Sequence, residues 1–267
     1  MPGQLTLPTL YVRRAQTDMQ RSLERLSTGL RVNRAADDPA GFAVAENLSA
    51  RARSVAVARR NIGDGRSLMM TLDGSANEVG DLLKRLRELA VQGASETLGD
   101  TERGYLDTEQ QQLVEEIDRI ANTTDLFGRT WADGSAGTIS VQVGADAGDT
   151  IDVDTGDFRS LTLGVDTLDL STSGGAGNAL ADIDSALDLL NGQRSRFGAA
   201  MNRLDVAERL AQHQEMVHTE AASRIMDADM AMEVAEMAKA QIRMQASVAA
   251  QMILRNANQA YMSALLS

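Results

Sequence analysis

The sequence predicts a mainly α protein: a long, antiparallel, coiled-coil-like helical rod carrying a small β-hairpin insert. Three observations lead there. Of 267 residues 43% are hydrophobic but only 3% aromatic, so the apolar content is Ala, Leu, Val, Ile and thirteen Met. Such side chains suit helix seams better than a broad core. Only three Pro occur, which permits long uninterrupted helices. Apolar residues recur at spacings of three and four in both halves of the chain, and the period switches to two only in the middle.

The first helix is read from Val12, Ala15, Met19, Leu23, Leu26 and Leu30, with Gly29 near its end. Turn formers follow from Arg34 to Gly41, where Asp37 or Asp38 can cap the next helix and Pro39 fits its first turn. That second helix carries the longest pattern, from Leu48 through Val55, Ile62, Met69, Leu72, Val79, Leu83 and Leu86 to Ala90, with Arg59 and Arg66 in the same series. No ordinary globular core needs a stripe of this length. Gly63, Gly65, Gly74 and Gly80 interrupt it at a cost of up to about 1 kcal/mol each relative to Ala, so packing has to compensate. A third helix shows Leu106, Leu113, Ile117 and Ile120 on one face.

Next, Ile139, Val141 and Val143, then Ile151 and Val153, alternate with polar residues around a Gly144–Asp149 loop. This is a hairpin with one apolar face. Leu161, Leu163 and Val165 alternate too and predict a further short strand, and residues 171–177 read as a flexible connection. Helical spacing returns with Ile183, Leu187, Leu190, Arg194, Phe197, Met201, Leu204 and Leu210, and again with Ile225, Met230, Val234, Met237, Met244 and Val248. A chain that runs out, turns in a hairpin and returns pairs its two ends antiparallel. The expected division is residues 1–35 with 225–267 as terminal helices, and 36–224 as a rod with its β insert at about 130–170.

The formal charge of −12 argues against nucleic acid as the main partner. Between Asp100 and Leu190 there are 19 Asp/Glu against 4 Lys/Arg, leaving the remainder net positive. Opposite fields on copies of one chain would steer their association; the alternative is solvated helix faces. No apolar run approaches the roughly 18 residues of a membrane span, and the start of the chain lacks the pattern of a cleavable secretory signal.

Catalytic and cofactor chemistry has little to build on. Cys is absent, and there are two His, so thiolate chemistry is excluded and a multi-histidine metal centre has no ligand set. Leu68 stands where a dinucleotide loop begun at Gly63 needs its third glycine. His213 and His218 are five apart and do not share a helix face. Asp146, Asp149, Asp152, Asp154 and Asp157 fail the calcium-loop spacing, since Gly156 takes a ligand position. The expectation is no enzyme and no cofactor.

Several blocks resemble bacterial flagellin. These are Glu24–Asn33 followed by Ala36–Gly41, Arg85–Gln92, Glu116–Ile120, Thr124–Gly128, Gln142–Gly144 with Gly148–Ile151, Ser223–Met230, and Gln245–Ser247 through Gln259. The resemblance runs in order over nearly the whole chain and implies a flagellin inner-domain fold without the variable outer domains. It implies a subunit that self-assembles into the flagellar filament for motility, exported unfolded through the flagellar channel and located outside the cell. Implied partners are further copies, an export chaperone, and the cap and hook-associated proteins, with neither nucleic acid nor membrane among them. The terminal helices would polymerise through Leu23, Leu26, Leu30, Met244, Val248, Leu254, Leu265 and Leu266. A vertebrate Toll-like receptor site carries over by position to Arg85, Leu89 and Glu109. Departures lie at Leu5–Thr9 and at the terminal Ser-Ala-Leu-Leu-Ser. They keep open a specialised minor flagellin or a hook–filament junction protein; a cytosolic coiled-coil adaptor is a further rival from another class.

Overall fold

The computed structural model describes residues 6–266, with side chains described from Leu10 onward except at Asn258 and from Tyr261 to the end. The chain forms α1 (Thr6–Thr28), α2 (Pro39–Gly93), α3 (Asp100–Thr123), β1 (Asp125–Leu126), β2 (Arg129–Thr130), β3 (Thr138–Gln142), β4 (Thr150–Asp154), α4 (Ser160–Leu163), α5 (Ser173–Met226) and α6 (Met230–Leu266). Its order of helices, small β insert and helices follows the sequence periodicities. Two compact units form, residues 1–52 with 216–267 and residues 53–215.

In the unit of residues 53–215 the core is the seam predicted for α2. Ile62, Met69, Leu72, Val79, Leu83 and Leu86 are all fully buried, against Ile183, Leu190, Phe197 and Leu204 of α5 and Ile117 of α3. Three arginines in the helical patterns behave differently. Arg59 pairs with Glu215 at 2.6 Å, Arg66 with Glu208 at 2.9 Å, and Arg194 with Asp73 at 2.9 Å. Arg87 pairs with Asp184 at 2.7 Å. As the α2 number rises the α5 number falls, so the helices run antiparallel with half-exposed ion pairs along the seam's edges. Long stems let these guanidinium groups reach the carboxylates while covering apolar surface.

The β3–β4 hairpin pairs Ile139 with Val153 and Val141 with Ile151. Val141, Ile151 and Val153 turn inward, and Ser140 donates to Asp152 on the outer face. Gly65 of α2 makes this docking possible: a Cβ there would meet the Val141 side chain at 3.1 Å.

The structure corrects three local expectations. Residues 160–163 form the helical turn α4 where alternation predicted a strand. Asp118 of α3 accepts both the Ser160 backbone N–H and its hydroxyl at 2.8 Å, and Gly164 ends the turn at φ 72°. Residues 171–177 are largely helical, because α5 starts at Ser173, with Ala176 fully buried and the Ser173 hydroxyl bonded to the Ala94 carbonyl. A two-residue hairpin, β1–β2, was not foreseen. Its turn is Phe127–Gly128, with both φ values positive at 57° and 74°, the type I′ geometry that matches strand twist.

Candidate functional site

The unit holding both chain ends is assembled from its connections. Gly29 ends α1 at φ 74°, its N–H bonded to the Arg25 carbonyl at 2.8 Å, the left-handed stop that glycine adopts without a Cβ clash. Asp38 caps α2, accepting the Gly41 N–H at 2.9 Å, with Pro39 at the first helical position. Asp229 caps α6, accepting the Ala231 and Met232 N–H groups. Between α5 and α6 the chain pairs with the segment after α1: Leu30 bridges Asp227, and the Ala228 N–H bonds the Gly29 carbonyl at 2.9 Å. Arg31 reaches the Ile225 carbonyl at 2.6 Å, satisfying an open carbonyl in the last turn of α5 and opposing the negative end of its dipole.

α1 and α6 pack against each other, the last turn of α1 meeting the first turn of α6 through Arg25 and Glu233 at 2.9 Å. They therefore run antiparallel. The buried seam between them is narrow and made of small groups, chiefly Ala15, Ser22 and Ala240, with Glu233 beside them. Much apolar surface stays outside. Tyr11 is 61% exposed, Ile242 66% and Ile253 68%, and Leu10, Met230, Met232, Val234 and Met252 are exposed as well. A helix that is apolar around most of its circumference needs burial on more than one side, and α1 covers one side of α6.

Of the residues expected to polymerise, Leu23 and Leu254 are exposed, while Leu26, Leu30, Met244 and Val248 are half-buried. The side chains of Leu265 and Leu266 lie outside the described residues. Three strongly exposed positions, Tyr11, Ile242 and Ile253, were missed by sequence reasoning. Their signal was present as apolar residues of α1 and α6 that fall outside a single stripe.

The three positions carried over for receptor contact separate by environment. Arg85 and Glu109 face each other at the surface, both Nε and Nη2 of the guanidinium donating to one Glu109 oxygen at 3.0 and 2.6 Å, and Nη1 donating to Glu88 at 3.1 Å. These hydrogen bonds, Glu109's first, raise the Arg85 pKa above its ordinary value. Leu89 is 1% exposed and lies in the core beneath them. Among the described residues no cluster of His, Cys, Asp or Glu is arranged to hold a metal ion, and no helix is long and apolar enough to cross a membrane.

Comparison with known proteins gives these features a family. The profile described as bacterial flagellin N-terminal helical region matches residues 8–136, and that described as bacterial flagellin C-terminal helical region matches 180–265. A flagellin of Halalkalibacterium halodurans is 39% identical over 90% of this chain and 88% of its own length. A flagellin of Listeria monocytogenes is 32% identical over 93% and 91%. The crystal structure of Bacillus cereus flagellin superposes with a TM-score of 0.52 at 33% identity, covering 57% of this chain and 88% of that one. Antiparallel chain ends, a central β insert and matches that span both halves agree on one conclusion: this chain belongs to the bacterial flagellin family.

Proposed function

We infer that this flagellin is a structural subunit of the bacterial flagellar filament, serving motility outside the cell. The observation that carries the reading is the apolar surface of α1 and α6 left uncovered by their narrow mutual seam. Neighbouring copies bury it. A contact between different patches on successive copies does not close on itself and extends into a helical polymer. In this reading residues 1–35 with 225–267 make the contacts that build the tube, and residues 36–224 form a separate domain. The protein acts by assembly, without catalysis or a cofactor.

The finer partners rest on the resemblance. The subunit travels unfolded through the flagellar channel, and a chaperone holds its apolar α6 before assembly. Cap and hook-associated proteins bound the growing polymer. A vertebrate Toll-like receptor meets the Arg85–Glu109 surface, with Leu89 holding that surface from beneath.

The test is seeded assembly. Purified protein with filament fragments or ammonium sulfate is followed by light scattering and negative-stain microscopy. Long filaments are expected; persistent monomer, under conditions where another flagellin polymerises, would transfer the reading to a junction protein or adaptor.

A further inference from the structure

Two features in the unit of residues 53–215 have the chemistry of a knob and a socket. The knob is the β1–β2 turn. Phe127 is 72% exposed and held at φ 57°, a backbone conformation that Asn or Gly adopts more easily. The turn is braced from behind: Trp131 Nε1 donates to the Leu126 carbonyl at 2.8 Å, and the Arg129 guanidinium stacks 4.7 Å from the Trp131 ring centre. Arg129 is exposed and pairs with no carboxylate among the described residues. A solvent-facing aromatic on a strained, braced turn buries little of its surface in its own unit. Strain of this kind persists where it serves a contact.

The socket is a cavity of about 470 Å³ bordered by β4, α4 and α5. Phe158 and Leu163 are buried around it, Leu189 is exposed at 59%, Asp154 pairs with Arg196 at 3.3 Å, and Asp188 adds negative charge. Gln193 lines it with a buried Nε2 that has no acceptor, while its Oε1 takes a bond from Arg196.

We propose that the Phe127–Gly128–Arg129 tip of one copy seats in this cavity of a second copy. The Phe127 ring packs on Phe158, Leu163 and Leu189. Arg129 meets Asp188. The tip borders α2 beside Asn61 and Leu68, whereas the cavity borders α5. The contact is therefore heterologous: a copy that gives its tip to one neighbour keeps its cavity for another, as an open polymer requires. Complementary charge favours a second copy as the occupant, because the tip's cation is one of few in an acidic stretch that also supplies the cavity's carboxylates. The proposal rests on the filament reading and adds a contact outside the terminal helices.

The chain's lack of cysteine makes disulfide trapping clean. In filaments of the F127C/L189C chain, mild oxidation should give a ladder of linked subunits on a non-reducing gel, and the same treatment of monomers should not. Where that chain does not assemble alone, an equal mixture with the parent chain should give linked dimers. Separately, Phe127→Asn should leave the thermal midpoint of monomer unchanged or higher, yet raise the critical concentration for assembly about tenfold or more. Assembled filaments without any linked species, or F127N filaments with the parent's critical concentration, would overturn the proposal. Failure of the parent chain itself to polymerise would overturn the filament reading instead.

Discussion

The guanidinium of Arg25 lies 2.9 Å from the carboxylate of Glu233, joining the end of α1 to the start of α6 across 208 positions of sequence. Both side chains are largely covered, at 26% and 11% exposure, and the Arg25 Nε is buried without a partner. A pair in this position acts chiefly on register. The apolar seam is too narrow and too small in its groups to prevent sliding, and a one-turn slip would strand a buried charge. Glu233→Gln should therefore destabilise the α1–α6 pair by about 1–3 kcal/mol. The readout is a lower dissociation temperature of assembled filaments, with partial recovery in the R25E/E233R exchange.

Phe158 and Phe197 meet edge to face with ring centres 6.1 Å apart, and both are fully buried. They connect the segment after the β3–β4 hairpin to the middle of α5. Phe197→Ala should cost about 3–5 kcal/mol through lost contact and the cavity left behind. Phe197→Leu should cost less than half of that. Chemical denaturation followed by circular dichroism gives both values.

Asp157 predicts acid sensitivity in the same region. Burial alone would raise its pKa, but the Arg159 guanidinium, the Thr162 hydroxyl and the Arg159 backbone N–H outweigh it and hold the carboxyl below its ordinary value. The folded state therefore binds the proton less readily than the unfolded chain. The stabilisation is complete above the unfolded value, about 4, and is lost as pH falls through the lower folded value. Asp157→Asn should reduce stability at neutral pH by about 1–2 kcal/mol and flatten the decline below pH 4. Melting temperatures of both chains from neutral to acid pH supply the comparison.

At the start of α2, Asp38 accepts the Gly41 N–H at 2.9 Å. Asp38→Ala leaves that donor to water and should cost about 1 kcal/mol, whereas Asp38→Ser should cost little. Amide exchange of the first α2 turn reads the difference locally.

The middle of α2 was legible because burial there follows the periodicity, whereas stripe positions such as Leu210, Met230 and Val234 stay exposed. From Val55 to Ala90 every apolar position of the predicted α2 stripe is buried, and alternation from Ile139 to Val143 gave β3 its inner and outer faces. The failures have physical causes. Leu161, Leu163 and Val165 alternate like a strand, but two hydrogen bonds from Ser160 to Asp118, 42 residues earlier, make a helical turn cheaper. No local pattern encodes that partner. The β1–β2 turn was invisible because Phe127 occupies a position where Asn or Gly is the usual signal. For the candidate site, the pattern showed that the chain ends pair but not which side of α6 the pairing leaves bare. That depends on how α1 lies across it, and on Arg25 meeting Glu233.

The central claim is that the uncovered apolar surface of α6 drives assembly, and the I242E/I253E chain tests it most directly. Both residues are about two-thirds exposed in the single copy, so folding should tolerate charge there, and the thermal transition of the residue 53–215 unit should match the parent's. In seeded assembly watched by electron microscopy, the parent should grow long filaments and the variant none. Variant filaments of parental length, formed at the parental critical concentration, would contradict the account.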